Sequence, residues 1–134
     1  MFYVPGSLYR KTAWSADGKF FSQFLEWKNS NSFSMDKKEL EKSEGLSVQF
    51  SKKLEESFKK NGLKLHPYTA TRDHVVRSKK AWVPAVLRYS IVPCSILVEV
   101  CNINNKEDAA TLKDPVFRQK IANAYIEALI LYYS

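Results

Sequence analysis

Val92-Pro93-Cys94-Ser95-Ile96-Leu97-Val98-Glu99-Val100-Cys101-Asn102-Ile103-Asn104-Asn105 is the stretch on which the fold turns. Ile96-Leu97-Val98 is a short, β-branched apolar run, opened by a proline and closed by an asparagine-rich turn. That pattern predicts a buried strand with a breaker at each end. Glu99 follows directly, at a place where a carboxylate gains nothing from packing and would be expensive if buried alone. Ligands of open α/β sheets bind outside the carboxyl ends of the strands. Glu99 is therefore a candidate general base, and a solvated strand-end glutamate is the plainer reading of the residue by itself.

Working outward, Phe2-Tyr3-Val4 reads as a second strand, halted by Pro5-Gly6, and Ala85-Val86-Leu87-Arg88-Tyr89 as a third. From Gly45 to Asn61 the chain is an amphipathic helix. Leu46, Phe50, Leu54 and Phe58 recur every fourth residue, lysines gather in the last turn, and Asn61-Gly62 supplies a left-handed stop. Lys106 to Leu112 predicts a short helix. Asp114-Pro115 opens the last one, to about Tyr132, with an N-cap and a proline at the first helical position. Its buried stripe should be Phe117, Ile121, Ala124, Tyr125, Ala128 and Leu131 or Tyr132. The fold class predicted is α/β, part of a twisted mixed sheet flanked by helices.

Two regions lack a clean period. Residues 7–44 mix aromatics with Lys, Ser and Asn; Phe20 to Trp27 could make two helical turns, and Asp36 to Lys42 a short helix. The stretch reads as an insertion, either a lid or an aromatic-anchored surface excursion. Leu63 to Trp82 reads as a polar connector carrying His66 and His74, the only two histidines.

With 134 residues the chain is one domain at most. A hydrophobic share of 45% against 26% charged is ordinary for a globular protein. Twenty-one basic against 14 acidic residues leave a net charge of +7, which favours anionic partners. The lysines come as scattered doublets, as exposed helix faces would produce, and there is no zinc-finger spacing or aromatic RNA-binding strand. Charge alone supports nucleic acid, and the reading goes against it. Cys94 and Cys101 lie too far apart along an extended strand to bridge, so both should be reduced. No apolar run reaches membrane-spanning length, and no signal peptide is evident at Met1.

Spacing offers little other chemistry. His66 and His74 have no metal-ligand spacing, Cys94 has no histidine partner in sequence, and there is no Gly-x-Ser-x-Gly elbow. Arg88, at the end of its expected strand, could orient Glu99 or hold a substrate carboxylate with its planar fork.

Several spaced motifs together carry a resemblance. Leu87-Arg88, Pro93, Ile96-Leu97-Val98-Glu99, Asn102-Ile103-Asn104-Asn105, Glu107-Asp108-Ala109, Leu112, Asp114-Pro115 and Phe117 to Ala122 resemble the end of the zinc-dependent N-acetylmuramoyl-L-alanine amidase domain. Glu99 falls on that family's catalytic glutamate, and Arg77 and Lys80 fall where the family is basic. Departures are one extra residue between Pro93 and Glu99, and Cys101-Asn102 in place of Gly-Phe. The resemblance implies a peptidoglycan hydrolase that cleaves the amide between N-acetylmuramic acid and L-alanine, working in the periplasm or cell envelope, with peptidoglycan and an activator protein as partners. It also implies zinc in the complete domain. The family's ligands are a Gly-His-Gly histidine, a glutamate and a Ser-Ile-His histidine, and those motifs do not occur here. Residues 1–134 are thus expected to be the carboxyl-terminal portion of one such domain, with an insertion at about 7–44. That portion would hold no zinc alone and be inactive alone. The alternative is a non-catalytic cell-wall or regulatory binding module.

Overall fold

In the computed structural model, which describes residues 1–15 and 32–134, the chain runs β1 (Phe2–Tyr3), a 3-10 turn (Ser7–Tyr9), β2 (Ala13–Ser15), β3 (Ser32–Ser34), α1 (Lys37–Lys60), β4 (Thr71–Arg72), β5 (Val75–Arg77), β6 (Lys80–Trp82), α2 (Ala85–Arg88), β7 (Leu97–Val98), α3 (Lys106–Lys113) and α4 (Pro115–Tyr133). β1 is the middle of a three-stranded sheet, parallel to β4 and antiparallel to β7. The mixed α/β class expected from the sequence is the one observed.

Alternation along β1 divides the core in two. The register sets Phe2 opposite Val98 and Tyr3 opposite Leu97, and successive strand side chains point to opposite faces. Phe2 and Val98 meet Leu54, Phe58, Leu63, Ala124 and Ala128, the side covered by α1 and α4. Tyr3 and Leu97 meet Val83 and Leu87 on the other side. Beyond β1, the Gly6 N–H donates to the Asp73 carbonyl at 3.1 Å. A Cβ at Gly6 would lie 2.5 Å from that oxygen, so only glycine fits there.

α1 is longer than its apolar pattern suggests. It begins at a capping box, in which Asp36 accepts from the Glu39 N–H at 2.8 Å and Glu39 accepts from the Asp36 N–H at 2.7 Å. The short helix expected from Asp36 and the helix expected from Gly45 are therefore one element. Gly45 sits mid-helix with open space around it, a penalty of about 1 kcal/mol against alanine that the capping box offsets. At the far end Gly62 has φ 70°, the left-handed stop.

One face of α1 packs on α4. The Phe58 ring meets Phe2 edge-on at 5.2 Å and Tyr125 at 5.6 Å, and Phe50 meets Tyr132 at 5.0 Å. Ala124 and Ala128, both fully buried, let the two helices approach. Of the two alternatives for the last core position, Tyr132 is the one half-buried and Leu131 is exposed. Another face of α1 is a seam of buried serines, Ser43, Ser47 and Ser51. Ser47 Oγ donates to the Ser43 carbonyl at 2.7 Å and accepts the Ser95 N–H at 3.0 Å. These small side chains admit the segment leading into β7.

Three expectations need correction or placing. Ala85–Arg88 is a single helical turn, not a strand. Pro84, with φ −48°, stands at its N-cap, and its carbonyl accepts the N–H groups of Leu87 and Arg88, each at 2.9 Å. Proline pre-sets a helix start, and the run is too short for strand pairing to override it. The connector from Leu63 to Trp82 holds β4 and the antiparallel β5–β6 hairpin. The helical turns expected at Phe20–Trp27, within the 7–44 insertion, lie outside the described residues.

The hairpin turn is strained. Ser78 (φ 48°) and Lys79 (φ 62°) both occupy the left-handed region, as a two-residue turn of this hand requires. For side chains other than glycine this costs roughly 1–2 kcal/mol per residue.

Candidate active site

β7 ends where the sheet opens. The Glu99 N–H donates to the Met1 carbonyl at 2.8 Å, and the Met1 amino group donates to the Glu99 carbonyl at 2.7 Å. The reciprocal pair continues the β1–β7 ladder by one residue and fixes the Glu99 backbone. Its side chain is exposed and faces a cleft of about 1120 Å³. Phe58, Leu63, Val98 and Phe117 give the cleft an apolar floor, while Lys64 and His66 contribute from one wall and Glu107 and Asp108 from the other.

The asparagine-rich turn is organised by its own side chains. Asp108 Oδ2 accepts the Asn102 N–H at 2.8 Å, and Asn102 Oδ1 accepts the Asn104 N–H at 3.1 Å. Asn105 caps α3, its Oδ1 accepting from Glu107 and Asp108 at 2.9 and 3.1 Å. A rigid turn thus stands beside Glu99, although Cys101-Asn102 replace the Gly-Phe that the resemblance leads one to expect.

Charge in the cleft is mixed. Burial pushes the Cys101 thiol up, and the Asp108 carboxylate adds to that against the opposing Met1 ammonium. A thiol held protonated is a poor nucleophile. Burial lowers the Met1 ammonium, with Glu99 and then Cys101 resisting. Both cysteines are free.

The other residues singled out from the sequence fall in different places. His66 lines the cleft and its Nδ1 accepts the Thr69 N–H at 3.3 Å. His74 is outside it, 2.6 Å from Asp73 and with its ring 4.4 Å from Tyr9. Arg88 does not line the cleft either. Its Nε and one terminal nitrogen donate to the Val83 carbonyl at 3.2 and 3.0 Å, and its guanidinium lies 4.9 Å from the Trp82 ring. The structure brings Glu99 and His66 into one cleft and separates both from His74 and Arg88.

Zinc in a catalytic site needs three protein ligands. Among the described residues no group of three His, Cys, Asp or Glu side chains converges to hold a metal ion. The described residues by themselves do not assemble the three-ligand set that the resemblance implies.

Sequence reasoning missed Lys64 and His66 as cleft walls, because a polar connector gives no sign of where it passes. The serine seam was visible as Ser43, Ser47 and Ser51 at every fourth position, but serines are rarely read as a packing face.

The arrangement is an open cleft at the carboxyl end of a strand, with one carboxylate presented by a fixed backbone, which is a hydrolase-like layout. The family model for N-acetylmuramoyl-L-alanine amidase matches residues 2–130. The chain belongs to that family. Its function is accordingly of the peptidoglycan amidase type. No curated protein and no solved structure matches it. Among the described residues no helix is long and apolar enough to cross a membrane.

Proposed function

We propose that this chain supplies the proton-transfer half of an N-acetylmuramoyl-L-alanine amidase site, with Glu99 as the general base. Glu99 accepts a proton from the water that attacks the amide carbonyl, and the tetrahedral adduct collapses as the same carboxyl returns the proton to the departing L-alanine nitrogen. The products are a muramoyl lactate carboxylate and a free stem peptide. What supports the reading is one observation: a family glutamate standing at a strand end, on a backbone held by two hydrogen bonds, facing an open cleft. Residues 1–134 are in this reading the carboxyl-terminal portion of the domain. The metal ligands come from outside the described residues, and the chain alone is inactive. The work is done at the cell wall. Arg88, tied to Val83, takes no part in the cleft chemistry in this reading.

The test measures stem-peptide release from purified peptidoglycan. The chain as it stands should release none. Joined at its amino end to a segment bearing the Gly-His-Gly, glutamate and Ser-Ile-His motifs, it should turn over. In that joined protein Glu99→Gln should lower the rate about 10²–10⁴-fold, the usual worth of a general base, with melting temperature and zinc content unchanged. Retention of most turnover in Glu99→Gln would remove the assignment.

A further inference from the structure

From His74 to Val98 the chain contains no carboxylate, while it contains Arg77, Lys79, Lys80 and Arg88. The structure gathers these on the β5–β6 hairpin and α2, away from the Glu99 cleft. None of the four forms an ion pair among the described residues, whose ion pairs all involve other groups. The hairpin is also built against local preference. Ser78 and Lys79 hold left-handed backbone, and the register sets Arg77 directly opposite Lys80, a like-charge pair that destabilises a ladder. Several unfavourable choices at one turn, with no carboxylate among the described residues paired to these cations, point to a ligand outside the fold.

The aromatic group at this site tells which ligand. The Arg77 and Arg88 guanidinium carbons lie 5.2 and 4.9 Å from the centroid of the Trp82 ring. The ring is a platform for two planar cations, so it is already engaged and poorly placed to stack a nucleic-acid base. Among the described residues no hydrogen bond engages the Arg77 side chain, which leaves its donor fork open, whereas Arg88 is partly used by Val83. Oriented, stacked guanidinium groups suit planar carboxylates, and the flanking lysines add charge without directional demand.

We propose that the β5–β6 hairpin with Arg88 is a second wall-binding site, which holds the carboxylates of peptidoglycan stem peptides away from the cleft. This rests on the amidase reading for the identity of the polymer, but it needs no catalysis. It gives a chain that cannot turn over alone a way to remain on the wall.

Co-sedimentation with purified, insoluble peptidoglycan tests it. Wild type should bind, poly-L-glutamate should compete, and added salt should weaken binding. Arg77→Ala/Lys79→Ala/Lys80→Ala should weaken it about tenfold or more, as loss of charge-assisted bonds implies. Arg77→Lys should fall between, since charge remains while the planar fork is lost. Lys79→Gly, which relaxes the turn, should fold at least as stably and still bind less tightly, so weaker binding cannot be laid to unfolding. Wild-type failure to bind, or a triple variant that binds as wild type does, would overturn the proposal. So would a single-stranded oligonucleotide that competes better than poly-L-glutamate of equal charge. Loss of the catalytic reading would appear instead as undiminished hydrolysis by Glu99→Gln in the joined protein, with wall binding untouched.

Discussion

The end of β7 and the tip of the separate β5–β6 hairpin present their charges in opposite ways. At the first Glu99 stands on a backbone whose hydrogen bonds are complete, beside a turn that satisfies its own N–H groups through Asn102, Asn105 and Asp108. At the second Lys79 stands on left-handed backbone, next to two cations set face to face across the ladder. A proton-transfer group profits from a fixed position. A cluster meant to meet a polymer is held charged and open at a continuous energetic cost. Stability and function should therefore be aligned at the Glu99 end and opposed at the hairpin end.

The largest effect expected is at the cleft floor. Phe58→Ala removes a ring that touches both β1 and α4 and should destabilise by about 3–5 kcal/mol, measured by urea unfolding. A loss under about 1 kcal/mol would mean that the cleft is not founded on the core. The hairpin should respond with the other sign. Lys79→Gly is expected to stabilise by about 1 kcal/mol, the left-handed strain relieved less the added freedom of glycine in the unfolded chain. Any loss of stability there would dissolve the contrast between the two regions.

The smallest effect is a pH dependence remote from both regions. Burial would raise the Glu127 carboxyl, but hydrogen bonds from Lys60, Asn61 and Ser57 and the Lys60 charge outweigh it, so the net shift is downward. A carboxyl depressed in the folded state contributes stability above its unfolded pKa and loses it as pH falls through the folded one. Melting temperature should therefore drop slightly more on acidification in wild type than in Glu127→Gln. Parallel curves would show that the Lys60–Glu127 contact is worth nothing to the fold.

Where the sequence was legible, one period or one cap decided the matter. The Asp114-Pro115 start of α4, with Asp114 accepting the Val116 N–H at 2.9 Å, and the Phe58–Leu54 face of α1 could be read directly. So could the β7 strand and its terminal glutamate. Ala85–Arg88 was misread because its β-branched and apolar residues fit a strand, while the deciding group was the carbonyl of Pro84, whose partners only the fold reveals. The β4 and β5 strands were hidden for a related reason. A two- or three-residue strand has no period of its own, and it exists because β1 or β6 lies beside it. Of the candidate site, Glu99 was readable from its place after Val98, but the walls opposite it were not. Lys64 and His66 reach the cleft through the path of a loop, and no residue pattern encodes that path.

The hydroxyl of Ser47 has a consequence for anyone who redesigns this helix. Propensity scales would favour alanine at each serine of the seam, and the exchange would alter volume very little. Yet the Ser95 N–H has Ser47 Oγ as its acceptor, four residues upstream of Glu99. An alanine-rich α1 would be a better helix and a worse anchor, with the anchoring segment free to drift by the width of one missing oxygen. Optimising the part would detune the whole, because an orphaned Ser95 N–H costs more than the helix gains from alanine.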